Sequence, residues 1–243
     1  MRLEAEFFVK DKQFPLDYRR VFIHFFKDFL SSENLGKNYE KYYSGTITKD
    51  FTFAVFFEGP QFTKEKIILD GNKVKVIFST SDDMTGYIFL AGFLSKKNKK
   101  ILLEDNNYML LKQAKKINGM NTNKEKIIIR MNSPLVIREH FKDEKNDMYY
   151  SVASNEFETK AQEIIKLQLK EAGFNEELVQ GFKIQSLTSK KTVVKFYGCF
   201  VEASLGTFML EGQSVVLNYL MQAGIGSRKS AGFGCAELLT DQL

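Results

Sequence analysis

The chain has 243 residues, 44% hydrophobic and 27% charged, values that suit one large or two small globular domains and exclude a disordered or fibrous chain. Its 29 lysines and six arginines oppose 30 acids for a net charge of +5, which admits a polyanionic partner without requiring one. No apolar run approaches the roughly 20 residues that span a bilayer, and the first residues, MRLEAEFFVK, carry acids where a signal peptide would be apolar. The expectation is therefore a cytoplasmic protein with no membrane association.

Two cysteines, Cys199 and Cys235, lie in apolar strand-like sequence and predict buried thiols in a reducing compartment. With only two histidines, His24 and His140, the chain offers too few clustered ligands for zinc, and no metal or other cofactor is expected.

In chain order, residues 2–9 alternate apolar and polar side chains, as a strand with one buried face does. A helix is predicted over 16–30, with Pro15 in its first turn, Val21, Phe22, Phe25, Phe26, Phe29 and Leu30 on one side, and Arg19, Arg20 and Lys27 on the polar side. A short helical stretch near 33–43 precedes strands at 51–57, 66–69 and 73–80. An apolar helix over 83–95 runs into Lys96, Lys97, Lys99 and Lys100, and a strand at 101–111 closes the first half.

Polar residues 115–125, with Asn118-Gly119, read as a connection. The second half repeats the plan: strand 126–131, a break at Ser133-Pro134, extended chain at 135–138, and an amphipathic helix over 156–172 ending at Gly173. Strands follow at 182–187, 192–198 and 199–210, then a helix over 213–222 and a last strand at 234–239. Strand, helix, two or three strands, helix, strand is the order of a split βαβ unit. The expected fold is thus α+β: two tandem ferredoxin-like domains, similar to RNA-recognition motifs, at 1–117 and 126–243, with a linker at 118–125 and a C-terminal glycine-rich loop at 224–234. Such sandwiches offer an open sheet face or a cleft to RNA.

That loop, Gly224-Ile225-Gly226-Ser227-Arg228-Lys229-Ser230-Ala231-Gly232-Phe233-Gly234, is the most specific motif. A helix end and a tight turn would use one or two glycines, whereas four around Arg228 and Lys229 suggest exposed amides that cradle phosphate. It is not a P-loop, since no Gly-Lys-Ser/Thr opens a following helix.

A G-x-G-x5-G-x-G loop closing two ferredoxin-like units resembles the CRISPR-associated endoribonucleases that cut precursor CRISPR RNA within its repeats. The likeness extends over the whole chain, through Leu16-Asp17-Tyr18-Arg19-Arg20, Phe51-Thr52-Phe53-Ala54-Val55 and Ser133-Pro134-Leu135-Val136-Ile137-Arg138. It implies a metal-independent reaction in which a base helps the ribose 2′-hydroxyl attack the adjacent phosphate and an acid protonates the departing 5′ oxygen, leaving a cyclic phosphate and mature guide RNAs. The partners it implies are CRISPR repeat RNA and an interference complex, for a monomer or homodimer.

Where the family often places a histidine, after its second helix, this sequence has Tyr43, with Lys49 in the lysine position. That departure leaves His24, on the first helix with Arg20 and Lys27, as the base, Tyr43 to orient the ribose and Lys49 to stabilise the pentavalent phosphate. The alternative is cleavage by positioning and cationic stabilisation with no histidine, or a non-catalytic repeat-RNA-binding protein of the same fold. His140, in the charged stretch 138–145, reads as a solvated surface residue. The expected RNA contacts are Arg19, Arg20, Lys27, Arg138, Gly224, Gly226, Ser227, Arg228, Lys229, Gly232 and Gly234, together with the lysines at 96–100.

Overall fold

The computed structural model describes residues 1–32, 36–43, 49–141 and 146–242; the start of the predicted 33–43 helix and residues 142–145 of the charged stretch lie outside them. The elements are β1 (Arg2–Val9), β2 (Gln13–Pro15), α1 (Tyr18–Ser32), α2 (Lys37–Tyr43), β3 (Phe51–Phe57), β4 (Gln61–Phe62), β5 (Lys66–Ile68), β6 (Lys73–Thr80), α3 (Asp83–Ser95), β7 (Lys100–Leu102) and β8 (Tyr108–Ile117). After residues 118–125 come β9 (Lys126–Met131), β10 (Ile137–Phe141), β11 (Asn146–Tyr150), α4 (Phe157–Glu171), α5 (Glu176–Gln180), β12 (Lys183–Phe196), β13 (Cys199–Glu211), α6 (Ser214–Ala223) and β14 (Ala236–Thr240).

Both halves have the same topology. The first sheet runs β3-β6-β1-β8-β7 and the second β12-β13-β9-β14, with all neighbours antiparallel. Setting aside the added hairpin strand β7, each places the four strands of a β-α-β-β-α-β unit in the spatial order second, third, first, fourth. That is the ferredoxin-like arrangement, occurring twice.

The first core is built of phenylalanine. Phe22, Phe26 and Phe29 of α1, Phe51 and Phe53 of β3, Phe78 of β6, and Phe89 and Phe93 of α3 are fully buried, each worth roughly 1.5–3 kcal/mol relative to exposure. Phe78 and Phe89 stack at 4.2 Å, while Phe26 meets Phe53 edge-on at 5.1 Å. Gly92 in α3 lets the helices approach: a Cβ there would lie 2.2 Å from the Phe29 ring. Asp82 caps α3, accepting from the Met84 and Thr85 amides.

Several sequence expectations are corrected. Helix α1 starts at Tyr18, because Pro15 instead ends a short strand paired with Lys66. The strand predicted at 101–111 is a hairpin, turned by Asp105 and Asn106, both left-handed (φ 57° and 55°), and β8 continues to Ile117. The two strands predicted at 182–198 are one, β12, bulged between Ser186 and Thr188 and turned into β13 by Tyr197-Gly198. Cys199 sits at that turn and is exposed; only Cys235 is buried. The β10–β11 hairpin and the helix α5 carry no periodic apolar pattern long enough to reveal them.

The glycine-rich loop leaves α6 and lies against β3, joining the two halves. Thr52 donates to the Phe233 carbonyl at 2.6 Å, and Arg19 donates to the Gly232 carbonyl at 3.0 Å with its guanidinium 4.5 Å from the rings of both Tyr18 and Phe233. At Gly232 φ is +82°, and a Cβ would meet the Phe53 ring at 2.7 Å. Gly232→Ala is therefore expected to cost roughly 2–4 kcal/mol, from a left-handed non-glycine residue plus overpacking. Urea denaturation checks this.

Candidate functional site

The loop's glycines serve packing. All four are buried, and the backbone groups around them are used inside the protein: Gly226 N–H donates to the Gln168 side chain (2.9 Å), Ser227 to Val136 O (2.8 Å), Ile225 to Gly234 O (2.9 Å) and Gly234 to Pro134 O (2.8 Å). Gln168 returns a bond to Gly224 O at 2.8 Å. The reading of Gly224, Gly226, Gly232 and Gly234 as an exposed phosphate cradle is thereby corrected: amides satisfied by protein carbonyls cannot also hold a ligand.

Two of the expected cationic contacts are also interior. Arg19 is 4% exposed and Lys229 5%. The Lys229 amine lies 3.7 Å from Asp50, which accepts a hydrogen bond from the Tyr219 hydroxyl at 2.7 Å; burial pushes the lysine's pKa down. Their neighbours in the sequence, Arg20 beside Arg19 and Arg228 beside Lys229, held no sign of this, because burial depends on the other half of the chain.

Arg228 is different. It adopts a left-handed backbone (φ 58°), uncommon for a side chain of its size, and its guanidinium leaves the loop to reach the β10–β11 hairpin. There Asp147 accepts from Arg228 (3.0 Å), Arg138 (3.1 Å), the Tyr149 hydroxyl (3.2 Å) and the His140 ring (2.8 Å to Nδ1). Strand register explains the convergence. His140 is directly opposite Asp147 and Arg138 opposite Tyr149, so all four side chains project from one face of the hairpin. Partial burial opposes the Asp147 charge, but the bonds from His140 and Arg138 outweigh it and bring its pKa down to about 2.

This cluster forms part of the wall of a cleft of about 770 Å³, whose lining includes Lys49, Arg138, His140, Ser227 and Arg228. Lys49 comes from the other half of the molecule, just before β3. Burial and the nearby Lys27 charge both lower its pKa. Lys27 in turn stands 5.0 Å from the ring of Tyr43. Burial, with the Tyr197 and Tyr39 phenols adding, raises the Tyr43 pKa, and its hydroxyl is buried without a hydrogen-bond partner among the described residues.

His24 is exposed on α1 and accepts from Arg20 Nε at 3.4 Å. Arg20 also lies 5.5 Å from the ring of Tyr197. His24 and Arg20 border a second groove of about 940 Å³, shared with Lys100, Leu102 and Lys195. Lys27, three residues along α1, links this edge to Tyr43 and Lys49. Of the lysines at 96–100, Lys96 is engaged by Asp28 at 2.6 Å.

The family can now be stated. A family model for CRISPR associated protein Cas6, C-terminal, matches residues 113–238, or 126 of 243. The chain belongs to the Cas6 family. Solved structures agree in fold along the full length. "Characterization of a Cas6-related gene from Pyrococcus furiosus" superposes with a TM-score of 0.85 at 17% identity, covering 100% of this chain and 99% of the other. "An RAMP protein binding different RNA substrates" gives 0.84 at 17% identity, covering 99% and 100%. A Cas6 product complex gives 0.71 at 16%, covering 98% and 99%. No curated protein matches in sequence. No helix among the described residues is long and apolar enough to cross a membrane.

The Asp147 cluster makes a prediction for this Cas6-family chain. A carboxyl whose folded pKa is depressed stabilises the fold above its unfolded pKa, and that contribution is lost as pH falls through the folded value. Asp147→Asn is expected to lose roughly 1–2 kcal/mol at neutral pH, allowing for solvent screening. The gap from wild type should close between pH 3.8 and about 2, as followed by urea denaturation across that range.

Proposed function

We propose that the chain is a metal-independent endoribonuclease that cuts precursor CRISPR RNA within its repeats by 2′-hydroxyl attack, leaving a cyclic phosphate. Family membership supports repeat-RNA processing in general. The observation that carries the finer reading is the cleft in which Lys49 from one half faces the walls bearing Arg138 and Arg228 from the other. On the sheets, Glu4 of the first pairs with Lys115 (3.0 Å) and Lys75 (3.8 Å), and Glu211 of the second with Lys126 (2.8 Å). The cleft is lined by Lys49, Arg138 and Arg228 as well as by Glu139, Glu163 and Glu171, and its cations come from both halves to meet a phosphate backbone.

In this reading His24 takes the 2′-hydroxyl proton. Its Nε2 accepts a long bond from Arg20 Nε at 3.4 Å. Tyr43, whose buried hydroxyl is unpartnered, orients the ribose. Lys49 stabilises charge on the pentavalent phosphorus. Arg20, Lys27, Arg138, Ser227 and Arg228 guide the RNA backbone, while Arg19, Lys229 and the four glycines hold the surface that presents them. A second reading, a repeat-RNA binder without turnover, is supported by Tyr43 standing where a histidine is frequent.

A repeat RNA incubated in EDTA should be cut at one site, and the same RNA with a 2′-deoxy nucleotide just upstream should bind and stay intact. Cutting of the deoxy substrate, or loss of activity in EDTA, overturns the chemistry; binding without cutting of either RNA selects the second reading. His24→Ala should slow single-turnover cleavage by ~10²–10⁴-fold at nearly unchanged affinity.

Arg228→Ala should weaken RNA binding and lower the slope of log affinity against log salt by about one unit. Lys229→Ala should instead lower the melting temperature. An unchanged salt slope for Arg228→Ala removes that side chain from the RNA surface.

A further inference from the structure

We infer that the chain forms a twofold-symmetric homodimer through α3, the helix packed beside α1 in the first half. The inference stands apart from the RNA-processing reading and is tested without RNA. On α3 the usual polarity is reversed. Its neighbour α1 turns Arg20, His24 and Asp28 outward, as a solvated helix does. The outward residues of α3 are Met84, Tyr87, Ala91 and Leu94, with Met84 62%, Tyr87 57% and Leu94 50% exposed, while Thr85 is turned inward to the Tyr42 hydroxyl at 2.8 Å. No charged residue occurs between Asp83 and Lys96. Single apolar side chains are ordinary on a surface, but a stripe along a whole helix marks a contact.

The spacing gives the kind of contact. Residues 84, 87, 91 and 94 alternate three and four apart, the seam by which one helix packs along another. Charge then selects the orientation. Asp82 and Asp83 stand at one end of the seam and Lys96 and Lys97 at the other. Asp82 is occupied in capping α3 and by Lys41 (3.9 Å), and Lys96 by Asp28 (2.6 Å). Asp83, whose side chain stays 78% exposed beside the Met1 amine at 3.6 Å, and the exposed Lys97 are the charges presented outward. A second copy of α3 running antiparallel brings Asp83 to the Lys97 end in both directions, whereas a parallel copy opposes like charges.

The side-chain sizes agree with that orientation. In an antiparallel pair centred on Phe89, Met84 meets Leu94 of the second copy and Tyr87 meets Ala91, so each large ring faces a small side chain. Such self-complementarity is what a twofold interface requires, and it commits the surface to a second copy of this chain. The 13-residue helix is about 20 Å long. One such contact buries less than the roughly 800 Å² per partner of a standard interface, so the dimer is weak, with a Kd on the order of micromolar.

Sedimentation velocity of the full chain across the micromolar range tests this. The wild type should pass from monomer to dimer as concentration rises. Ala91→Glu should weaken the dimer by roughly tenfold or more with an unchanged melting temperature, because position 91 is exposed in the monomer. If that variant misfolds, Tyr87→Lys, at another exposed position of the seam, takes its place. Asp83→Lys and Lys97→Asp should each weaken the dimer about three- to tenfold, and the two reversals in one chain should restore it. A wild type that stays monomeric, or a dimer that the seam variants leave intact, overturns the inference. Failure of the paired reversal to restore association overturns the antiparallel register, and growth beyond a dimer overturns the closed twofold.

Discussion

The arrangement depends on two backbones coming closer than side chains would permit. The glycine-rich loop lies on β3 with Gly224 against Thr52 and Gly232 against the Phe53 ring, where added Cβ atoms would each meet the other half at 2.7 Å. The contact is sealed by Thr52 and Arg19, both donating to loop carbonyls. Because β3 is an edge strand of the first sheet, the loop also shields part of an edge that would otherwise remain open. The segment just ahead of β3 carries Lys49, so the same docking that joins the halves brings that amine to a cleft lined by the other half.

A consequence is that the loop separates its two cations by function although they are adjacent. The left-handed turn at Arg228 sends one side chain outward to Asp147, and the following short 3-10 turn, Lys229–Ala231, sends the next inward to Asp50. Neither position could be read from composition. A cation buried beside one carboxylate and a phenol is costly to hold, and the desolvation felt by Lys229 shows that the interior contact does not fully compensate it.

Much of the fold was legible because it is written in periodicity. The alternation of residues 2–9, the three-to-four spacing of phenylalanines in α1, and the repeat of the strand–helix order each reflect burial against a single layer, which local sequence encodes. What escaped was set by longer-range pairing. Asp105-Asn106 looked like an ordinary polar pair within a strand, yet both take left-handed backbone and make a hairpin. The site divides the same way. Lys49 and Arg228 were named from motif position, whereas the burial of Arg19 and Lys229 depends on the opposite half. His140 was read as solvated because its partner lies across a hairpin. The spacing Arg138-x-His140 facing Asp147-x-Tyr149 is a two-residue repeat on each strand and could have signalled one shared face, had the hairpin been recognised.

The placement of the two histidines bears on how a chain with a tyrosine at the family's usual histidine position can still be an enzyme. Phosphodiester transfer needs a proton removed on one side of phosphorus and delivered on the other, and these tasks favour opposite protonation states. His24 accepts a bond from Arg20 on the first helix, and His140 is bonded to Asp147 on the hairpin of the second half. Near the first of them, Lys27 stands 5.0 Å from the Tyr43 ring, and its charge is felt by Lys49. Each of the two similar units contributes one histidine, and the glycine-rich loop joins the units through Thr52 and Arg19.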